Sequence, residues 1–432
     1  MSQKYKPNTQ SFGSKTKYKI NLEMDSRGHF NLESRSTITN TSNDEWSDVV
    51  FYFIPNIFTK ENSPTLSNPG TTHIKSILVN GKKAKFSLKK DTLKVLLYED
   101  VNPTKKIVVD IQYSFTMPEK GLRFTKEDGN YYLAQWYPMV ATYKNGSWNK
   151  EEYRLKGETY HTAFSDFEVS YKIPKGLTIV TTSDREYVKS KKTSILKMKN
   201  VKEFFIAILK EPYSNERKVG NVNIRAFTLD DDAESQREVL QIAEKALNYF
   251  QDKIGPYPHK QLDIIVSQLG MEYPGIVTAG SIYNRFEGWS ESLVVHEIAH
   301  QWFYGMISSD PFYDAWLDEG FATFALNLFH SELEKGPISL DVSKFKDSPL
   351  PVNLPLNKYT LGEQSNYIYG KASTYLWKVF SENGGKKRAE DFLKNYYDLY
   401  KYKDIDTAEF VRFIKYYLEL KDDHLLKEFL TF

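Results

Sequence analysis

Two histidines stand four residues apart within residues 294–303, and this spacing constrains the fold more than any other feature of the sequence. The segment reads as one helix, and residues four apart on a helix lie on the same face. His296 and His300 are therefore placed to bind one zinc ion through neutral imidazoles at roughly 2.0–2.1 Å. Glu297 follows His296 directly and can act as a general base towards a water molecule on the metal. The segment predicts a zinc-binding helix.

The pattern His-Glu-x-x-His is short, so a chance match has to be weighed. With eight histidines in 432 residues, the chance probability is roughly one in a hundred, and the alternative is an amphipathic helix with two surface histidines. A second helical segment, residues 314–324, offers Glu319 after a spacer of eighteen residues. Two histidines and one glutamate leave the fourth position of zinc open for water, as in catalytic sites. We therefore predict one catalytic Zn²⁺ per chain, bound by His296, His300 and Glu319.

Further motifs resemble those of a known family, the gluzincin zinc aminopeptidases, which include aminopeptidase N and leukotriene hydrolase. Residues 269–273 are similar to the family's G-x-M-E-N exopeptidase motif, and residues 369–372 are similar to its Y-x-K-G motif. The sequence departs from these patterns at Leu269, Tyr273 and Ala372, which stand where the family has glycine, asparagine and glycine. The resemblance covers nearly the whole chain, although the N-terminal part matches in pattern more than in motif.

The resemblance implies roles for several residues around the metal. Glu272 is implied to pair with the α-ammonium of a peptide, with Gly270 and Met271 beside it in the substrate site. A carboxylate fixed there selects the first peptide bond for attack, because it holds the free amine at one distance from the metal. The hydroxyl of Tyr369 is implied to stabilise the negative oxygen of the tetrahedral intermediate. Tyr367, two residues earlier, is the alternative for that role.

The family also uses a glutamine or glutamate of its N-terminal domain to help hold the substrate's amine. Gln135, in the aromatic segment 132–138, is the nearest candidate in this sequence. The alternative is that the segment is an ordinary half-buried strand, since aromatic residues are enriched in strands.

These features together predict a zinc-dependent aminopeptidase that removes N-terminal residues from peptides. Zinc lowers the pKa of its water to about 7, Glu297 takes the proton as the water attacks the carbonyl, and Glu297 later returns it to the leaving amine. Two alternatives remain open. A thermolysin-type zinc endopeptidase uses the same ligands without an amine anchor, and a catalytically inactive peptide-binding scaffold keeps the fold alone.

The predicted fold is α+β and multidomain. Residues 1–213 are rich in strand patterns, such as residues 18–24, 107–113 and 167–173, separated by Asn-Gly, Asp-Gly and Pro-Lys-Gly turns. They predict an antiparallel β domain, and the resemblance implies a saddle-like sheet followed by a thermolysin-like zinc catalytic domain over residues 214–432.

Local patterns subdivide this second region. Its acidic residues 230–234 predict a helix start rather than a calcium site. Strands are predicted at 262–266 and 275–280, the latter as a possible edge against which substrate lies, and further helices at 366–382, 387–400, 406–419 and 422–430. The resemblance also implies that this chain stops before the C-terminal helical domain of longer members, so that its cleft is more open or is covered by another chain.

Composition narrows the class of partner. Lysine plus arginine total 58 and aspartate plus glutamate total 56, without a long basic run, so nucleic acid is not an expected partner. The chain has no cysteine, which excludes thiolate metal sites and cysteine nucleophiles. No stretch is apolar enough for a membrane span. The first ten residues lack the apolar segment of a signal peptide. The protein is therefore expected to be cytoplasmic, or extracellular or at the cell surface if a signal has been removed. The sequence does not specify the oligomeric state.

Overall fold

The computed structural model describes residues 5–154, 157–184, 188–189, 194–266, 270–280 and 289–432. Its first half consists mainly of β-strands, in which buried and exposed residues alternate because one face of each sheet covers the core. In chain order they are β1 (Ser14–Met24), β2 (His29–Asn40), β3 (Trp46–Tyr52), β4 (Thr71–Val79), β5 (Lys82–Lys83), β6 (Phe86–Lys89), β7 (Thr92–Val101), β8 (Lys106–Thr116), β9 (Phe124–Glu127), β10 (Asn130–Leu133), β11 (Met139–Val140), β12 (Thr142–Lys144), β13 (Ser147–Asn149), β14 (Ser165–Lys172), β15 (Leu177–Thr181), β16 (Val188–Lys189), β17 (Ser194–Val201) and β18 (Ile206–Lys210).

A seven-stranded sheet dominates this half, in the order β17–β14–β1–β2–β8–β4–β5. Its pairs are antiparallel except β1 with β14, which run parallel. The turns after β4 and after β9 use Asn80-Gly81 and Asp128-Gly129, all four with positive φ, as two-residue hairpin turns require. Five-stranded (β16–β15–β18–β10–β9) and four-stranded (β11–β3–β7–β6) sheets pack beside it. The predicted antiparallel β domain is confirmed.

The second half is mixed. Its strands are β19 (Tyr213–Val219), β20 (Val222–Thr228), β21 (Gln261–Val266), β22 (Ile276–Ala279), β23 (Ile307–Ser309) and β24 (Lys403–Ile405). Its helices are α1 (Ala233–Lys253), α2 (Trp289–Ala299), α3 (Trp316–Glu334), α4 (Ala372–Glu382), α5 (Gly385–Tyr400), α6 (Thr407–Leu418) and α7 (His424–Lys427), with 3₁₀ turns at Ile54–Phe58 in the first half and at Val342–Phe345 and Leu356–Lys358 here. A π-helix, Asn366–Lys371, runs directly into α4.

The sheet of this half has the order β19–β20–β21–β22. The predicted strand at 275–280 therefore forms, as β22, the edge of the described sheet. The predicted helix start at 230–234 is also confirmed, because the Asp232 side chain caps α1 by accepting a hydrogen bond from Ser235 N at 2.9 Å. The predicted strand at 262–266 corresponds to β21.

Two helix predictions need correction. The predicted helix 366–382 is divided, since residues 366–371 form the π-helix and only residues from Ala372 onward are α-helical. The predicted helix 422–430 is shorter, because α7 spans His424–Lys427. Beyond it, Phe429 O accepts a hydrogen bond from Val352 N at 2.8 Å, so the backbone there is bound to another segment instead of continuing the helix.

The predicted boundary between domains falls where one sheet ends and another begins. β18 ends at Lys210 and β19 begins at Tyr213. A core of residues between 18 and 208 lies on one side, and a core of residues between 219 and 430 lies on the other. The division at residue 213 stays a prediction.

A buried polar cluster joins the two halves. Asp404 accepts hydrogen bonds from Lys144 Nζ at 2.6 Å and from Ser308 Oγ at 3.0 Å, and its Oδ1 lies 3.0 Å from His161 Nε2. Lys202 Nζ lies 2.8 Å from Ser308 Oγ. If one partner of a buried ion pair is removed, the other charge stays buried without a partner, which is strongly destabilising. This cluster therefore holds the β sheets against the second half.

The N-terminal segment, residues 5–10, packs against α6. Tyr5 OH and Asn8 N both donate to Glu409 Oε1 at 3.0 Å, and Arg412 lies 4.4 Å from the centre of the Tyr5 ring. Gln10 N donates to Asp404 O at 2.9 Å.

Within the described ranges, none of the helices is long and apolar enough to cross a membrane.

Candidate metal centre and active site

The three predicted metal ligands meet at one point between α2 and α3. His296 Nε2 lies 3.0 Å from His300 Nε2, and each lies 3.2 Å from Glu319 Oε2. Ligand atoms of a tetrahedral zinc ion with bonds of about 2.0–2.1 Å are roughly 3.3 Å apart. The two nitrogens and one carboxylate oxygen thus have the chemistry and the spacing of a zinc site with an open fourth position.

Local helical structure produces this triangle. Although α2 ends at Ala299, His300 N still donates to His296 O at 3.2 Å, which keeps both imidazoles on one face. His300 Nδ1 lies 2.6 Å from Asp318 Oδ1 and 3.0 Å from Phe303 O. Such contacts on the remote nitrogen orient an imidazole so that its other nitrogen faces the metal. Asp318 also raises the pKa of His300, against the effect of burial.

Glu297 lies beside these ligands with a free acceptor. It is buried, and its Oε2 has no hydrogen-bond partner in the part of the chain that the structure describes. Burial raises the pKa of Glu297 to about 8, opposed by the charge of His300. A Cβ at Gly270 would lie 2.2 Å from Glu297 Oε1, so any larger residue at 270 would displace the Glu297 carboxylate.

Glu272 also lies close to His300. Oxygen and nitrogen atoms of Glu272, His300 and Asp318 lie within 4.8 Å of one another, and all three residues are buried. Gln301 holds this loop to the end of the zinc helix, because its Oε1 accepts from Gly275 N at 2.8 Å and its Nε2 donates to Tyr273 O at 3.0 Å. The loop is thus positioned by the residue that follows a metal ligand.

The rest of this motif lies on the edge strand. Met271 and Thr278 exchange two backbone hydrogen bonds of 2.9 and 3.1 Å, which joins the motif to β22. Tyr273, in place of the family's asparagine, is buried and stacks on Phe205 with ring centres 4.0 Å apart. Leu269, the first residue of the motif, lies outside the described residues.

The two candidate tyrosines lie on the π-helix and have different neighbours. Tyr369 stacks on His296, with ring centres 5.5 Å apart, and burial together with the adjacent Glu319 carboxylate raises its pKa well above 10. Tyr367 points elsewhere and stacks on Tyr359 at 5.0 Å. Single π-helical turns occur often at functional sites. Of the two tyrosines, only Tyr369 lies beside a candidate metal ligand.

Gln135 lies in a buried cluster contributed mainly by the N-terminal half. Its Nε2 donates to Tyr160 OH at 3.1 Å and to Glu203 Oε2 at 2.8 Å. Tyr304, four residues after His300, donates its hydroxyl to Glu203. The backbone at Gln135 has a φ of 49°, so the prediction that segment 132–138 is an ordinary strand fails at this residue. β10 ends at Leu133.

Two residues that support the site were missed from the sequence. Asp318 and Gln301 each adjoin a predicted ligand, and their polar character within otherwise apolar helical segments was a signal that could have found them.

Comparison with known proteins finds similarity to one peptidase family in the second half of the chain. Residues 238–430 match the model of the peptidase family M1 domain. Aminopeptidase M1-D of Oryza sativa subsp. japonica is 24% identical over 314 residues, which are 60% of this chain and 36% of that protein. Leukotriene A-4 hydrolase of Xenopus laevis is 24% identical over 204 residues, 43% of this chain and 34% of that protein. The chain therefore spans about a third of the length of these relatives, and the predicted resemblance is confirmed.

Solved structures share the fold over nearly the full chain. An M1 zinc metallopeptidase from Deinococcus radiodurans has a TM-score of 0.70 at 16% identity, covering 96% of this chain and 93% of that one. A mutant of that enzyme bound to the substrate Tyr-Ser-Ala has a TM-score of 0.68 at 16% identity, again with 96% and 93% coverage. The predicted order of a β-rich domain followed by a zinc peptidase fold is confirmed.

Proposed function

We propose that this chain, whose residues 238–430 match the model of the peptidase family M1 domain, is a zinc-dependent aminopeptidase that removes N-terminal residues from peptides. The observation that carries the proposal is the triangle of His296 Nε2, His300 Nε2 and Glu319 Oε2, with edges of 3.0–3.2 Å, beside two further buried carboxylates. One of these, Glu297, provides a base, and the other, Glu272, provides a site for a positive charge.

The chemistry divides among the residues of the site. His296, His300 and Glu319 would hold a zinc ion, which would supply an acidified water molecule and polarise the peptide carbonyl. Glu297 receives the proton at its carboxylate and passes it to the nitrogen of the leaving peptide. Tyr369 donates its hydroxyl hydrogen to the oxygen that becomes negative.

Glu272 restricts this chemistry to the end of a peptide. Its buried carboxylate is suited to bind an ammonium group, because pairing with an opposite charge offsets the free-energy cost of burying the carboxylate away from water. With the amine held there, only the first peptide bond reaches Glu297. Substrates of the proposed enzyme are therefore peptides with a free N-terminus, of any sequence that the side-chain pocket accepts.

The decisive experiment measures metal and turnover together. Purified protein is assayed with aminoacyl fluorogenic substrates before and after treatment with a chelator, and zinc per chain is determined by mass spectrometry. We expect turnover that chelation abolishes and zinc restores. Glu297→Gln should retain zinc and lose turnover by orders of magnitude, because an amide does not accept the proton.

Ligand variants complete the test. His296→Ala, His300→Ala and Glu319→Ala should each lose zinc as well as activity, whereas Glu297→Gln loses activity alone. Full zinc occupancy in any of the three ligand variants contradicts the assignment of the metal site. Near-normal turnover in Glu297→Gln contradicts the assignment of the base.

A further inference from the structure

The last residue of the π-helix is a lysine that is buried without a carboxylate partner among the described residues. Lys371 is 4% exposed, and its ammonium donates to Ser348 O at 2.8 Å and to Leu350 O at 2.7 Å. Burial lowers the pKa of Lys371, and no neighbouring carboxylate of the described chain opposes that effect. Lysine is rarely buried unless it is paired, so these contacts must offset the free-energy cost of burying the charge.

Two tyrosine rings complete the surroundings of this ammonium. The nitrogen lies 5.7 Å from the centre of the Tyr367 ring and 5.6 Å from the centre of the Tyr375 ring. Both distances are within the range of cation–π attraction. Lys371 is therefore held by two carbonyl oxygens and two rings, all of them uncharged.

The two carbonyls belong to residues 345–350, a segment that we call the strap. Lys371 binds the strap at the last residue of the π-helix. At the first residue, Asn366 Nδ2 donates to Ser348 Oγ at 2.8 Å. The strap is therefore bound to both ends of the π-helix.

The strap also packs on the middle of the π-helix. A Cβ placed on Gly370 would lie 3.2 Å from Phe345 Cζ, which is closer than carbon atoms in van der Waals contact. The Phe345 ring therefore lies directly on the backbone at the residue that follows Tyr369. Contacts with the strap precede and follow Tyr369 in the same turn.

The direction of Tyr369 depends on this turn. Its ring stacks on His296 with centres 5.5 Å apart, and its hydroxyl forms a hydrogen bond with Glu319. Bonding of the π type is rare and is found mostly as single turns. A return to α-helical bonding would shift the segment by one residue relative to α4, which rotates each side chain by about 100° around the axis. Tyr369 would then point away from the candidate metal ligands.

We infer that Lys371 is a positioning residue for Tyr369. By binding the strap, Lys371 keeps the π-helical turn that directs the Tyr369 hydroxyl to the metal site. The inference rests on the proposed aminopeptidase function, in which that hydroxyl stabilises the negative oxygen of the intermediate. It extends that function to a residue whose own ammonium is bound to the strap.

The first measurement is the turnover of an aminoacyl fluorogenic substrate by Lys371→Met. Methionine is unbranched and of similar length but has no ammonium. A misplacement of about 1 Å at a catalytic group costs up to about 100-fold in rate, so we expect kcat to fall by about 10- to 100-fold. KM should stay within about threefold of the wild type, because the affected interaction is made in the transition state. Zinc content should be unchanged.

The same substitution in Tyr369→Phe separates positioning from a general effect on the fold. Once the hydroxyl is absent, there is no donor left to misplace. Lys371→Met should then lower the remaining kcat by no more than about threefold. An equal fall of kcat in both backgrounds overturns the inference, because Lys371 then acts independently of the Tyr369 hydroxyl.

Hydrogen exchange provides a readout that does not depend on turnover. Backbone amides of residues 366–371 should lose protection in Lys371→Met, whereas those of α5 should keep theirs, because the loosening of one turn is a local opening. Unchanged protection of residues 366–371 overturns the inference at any level of activity.

Lys378→Met serves as the matched control. It removes an ammonium from α4, where Lys378 Nζ donates to Glu428 Oε1 at 2.6 Å, and it leaves the contacts of the strap in place. We expect kcat within about twofold of the wild type, as for other substitutions away from a buried site. A loss as large as in Lys371→Met overturns the inference.

Asn366→Ala replaces Lys371→Met if that variant does not fold. Asn366 is exposed, so its truncation does not threaten the core. It removes one neutral hydrogen bond to the strap, and we expect kcat to fall by about 3- to 10-fold. This fall should again disappear in the Tyr369→Phe background.

The outcomes separate the two proposals. If the wild type does not turn over aminoacyl substrates, the aminopeptidase function fails, while hydrogen exchange still decides whether Lys371 holds the π-helix. If the wild type is active and Lys371→Met keeps its kcat, the function stands and only this inference is overturned.

Discussion

Gly320 is the point at which α3 touches the helix that carries Tyr369. A Cβ placed on Gly320 would lie 2.8 Å from Ala372 Cβ and 3.1 Å from Ile368 O. Carbon atoms in van der Waals contact are about 3.5–4.0 Å apart. Gly320→Ala must therefore push the π-helix and the start of α4 away from α3 by roughly 1 Å.

Two effects of this displacement can be estimated. Overpacking of a buried contact costs about 1–3 kcal/mol of unfolding free energy. A misplacement of about 1 Å at a catalytic group costs up to about 100-fold in rate, and both Glu319 and Tyr369 adjoin this contact. We expect Gly320→Ala to lower stability by about 2 kcal/mol and kcat by about 10- to 100-fold.

The second substitution, Ala372→Gly, tests the cause. It removes the opposing methyl group and by itself costs about 0.5–1 kcal/mol, as for glycine inside a helix. Combined with Gly320→Ala it should restore most of the lost kcat, with a coupling energy of at least about 1 kcal/mol. Urea unfolding, kcat for an aminoacyl substrate and zinc content are measured for all four proteins.

Gly362→Ala provides the control for a change of glycine to alanine as such, since a Cβ there meets nothing within 4 Å. It should leave stability and turnover unaltered. Additive losses in the double variant, with no recovery of kcat, refute the contact between Gly320 and Ala372 as the cause.

Three further variants test other contacts. Tyr369→Phe should lower kcat by about 100- to 1,000-fold with little change in KM, as for other oxyanion donors, while Tyr367→Phe stays near the wild type; the reverse result moves the role to Tyr367. Glu272→Ala should collapse the ratio of rates for free and N-acetylated peptides, and a wild type that cleaves both equally is an endopeptidase. Asp404→Asn should cost about 3–5 kcal/mol by leaving Lys144 unpaired. Burial raises the pKa of Asp404, but its cationic neighbours lower that pKa to about 2. The stabilisation from ionised Asp404 is therefore complete above a pH of about 4 and is lost towards pH 2. Equal unfolding midpoints for the wild type and Asp404→Asn at pH 7 would contradict this role of Asp404.

Sequence reasoning succeeded where the signal is local. The spacing of His296 and His300 specifies one helical face, and alternation in residues 18–24 specifies a sheet with one buried side. The candidate site was predictable to the same extent, because each proposed ligand lies in a short helical segment with its own pattern.

The rest depends on contacts between distant residues. Tyr304 and its acceptor Glu203 are 101 positions apart, and neither sequence context refers to the other. His161 and Asp404, which lie 3.0 Å apart, are likewise unrelated in pattern. The apolar periodicity of residues 366–382 is that of an α-helix, so the sequence did not predict the π-helix. The i→i+5 hydrogen bonding occurs where this segment packs against α3.

The packing of residues 5–10 on α6 has a consequence for synthesis of the protein. Tyr5 and its acceptor Glu409 are separated by 404 positions, so the ribosome makes the first long before the second. At about 5–20 residues per second, roughly 20–80 s pass between them. During that interval the β sheets of the N-terminal half are complete in sequence and can pair, while the segment ahead of β1 still lacks the surface that it will cover. The contact of residues 5–10 with α6 is therefore among the last that the nascent chain can form.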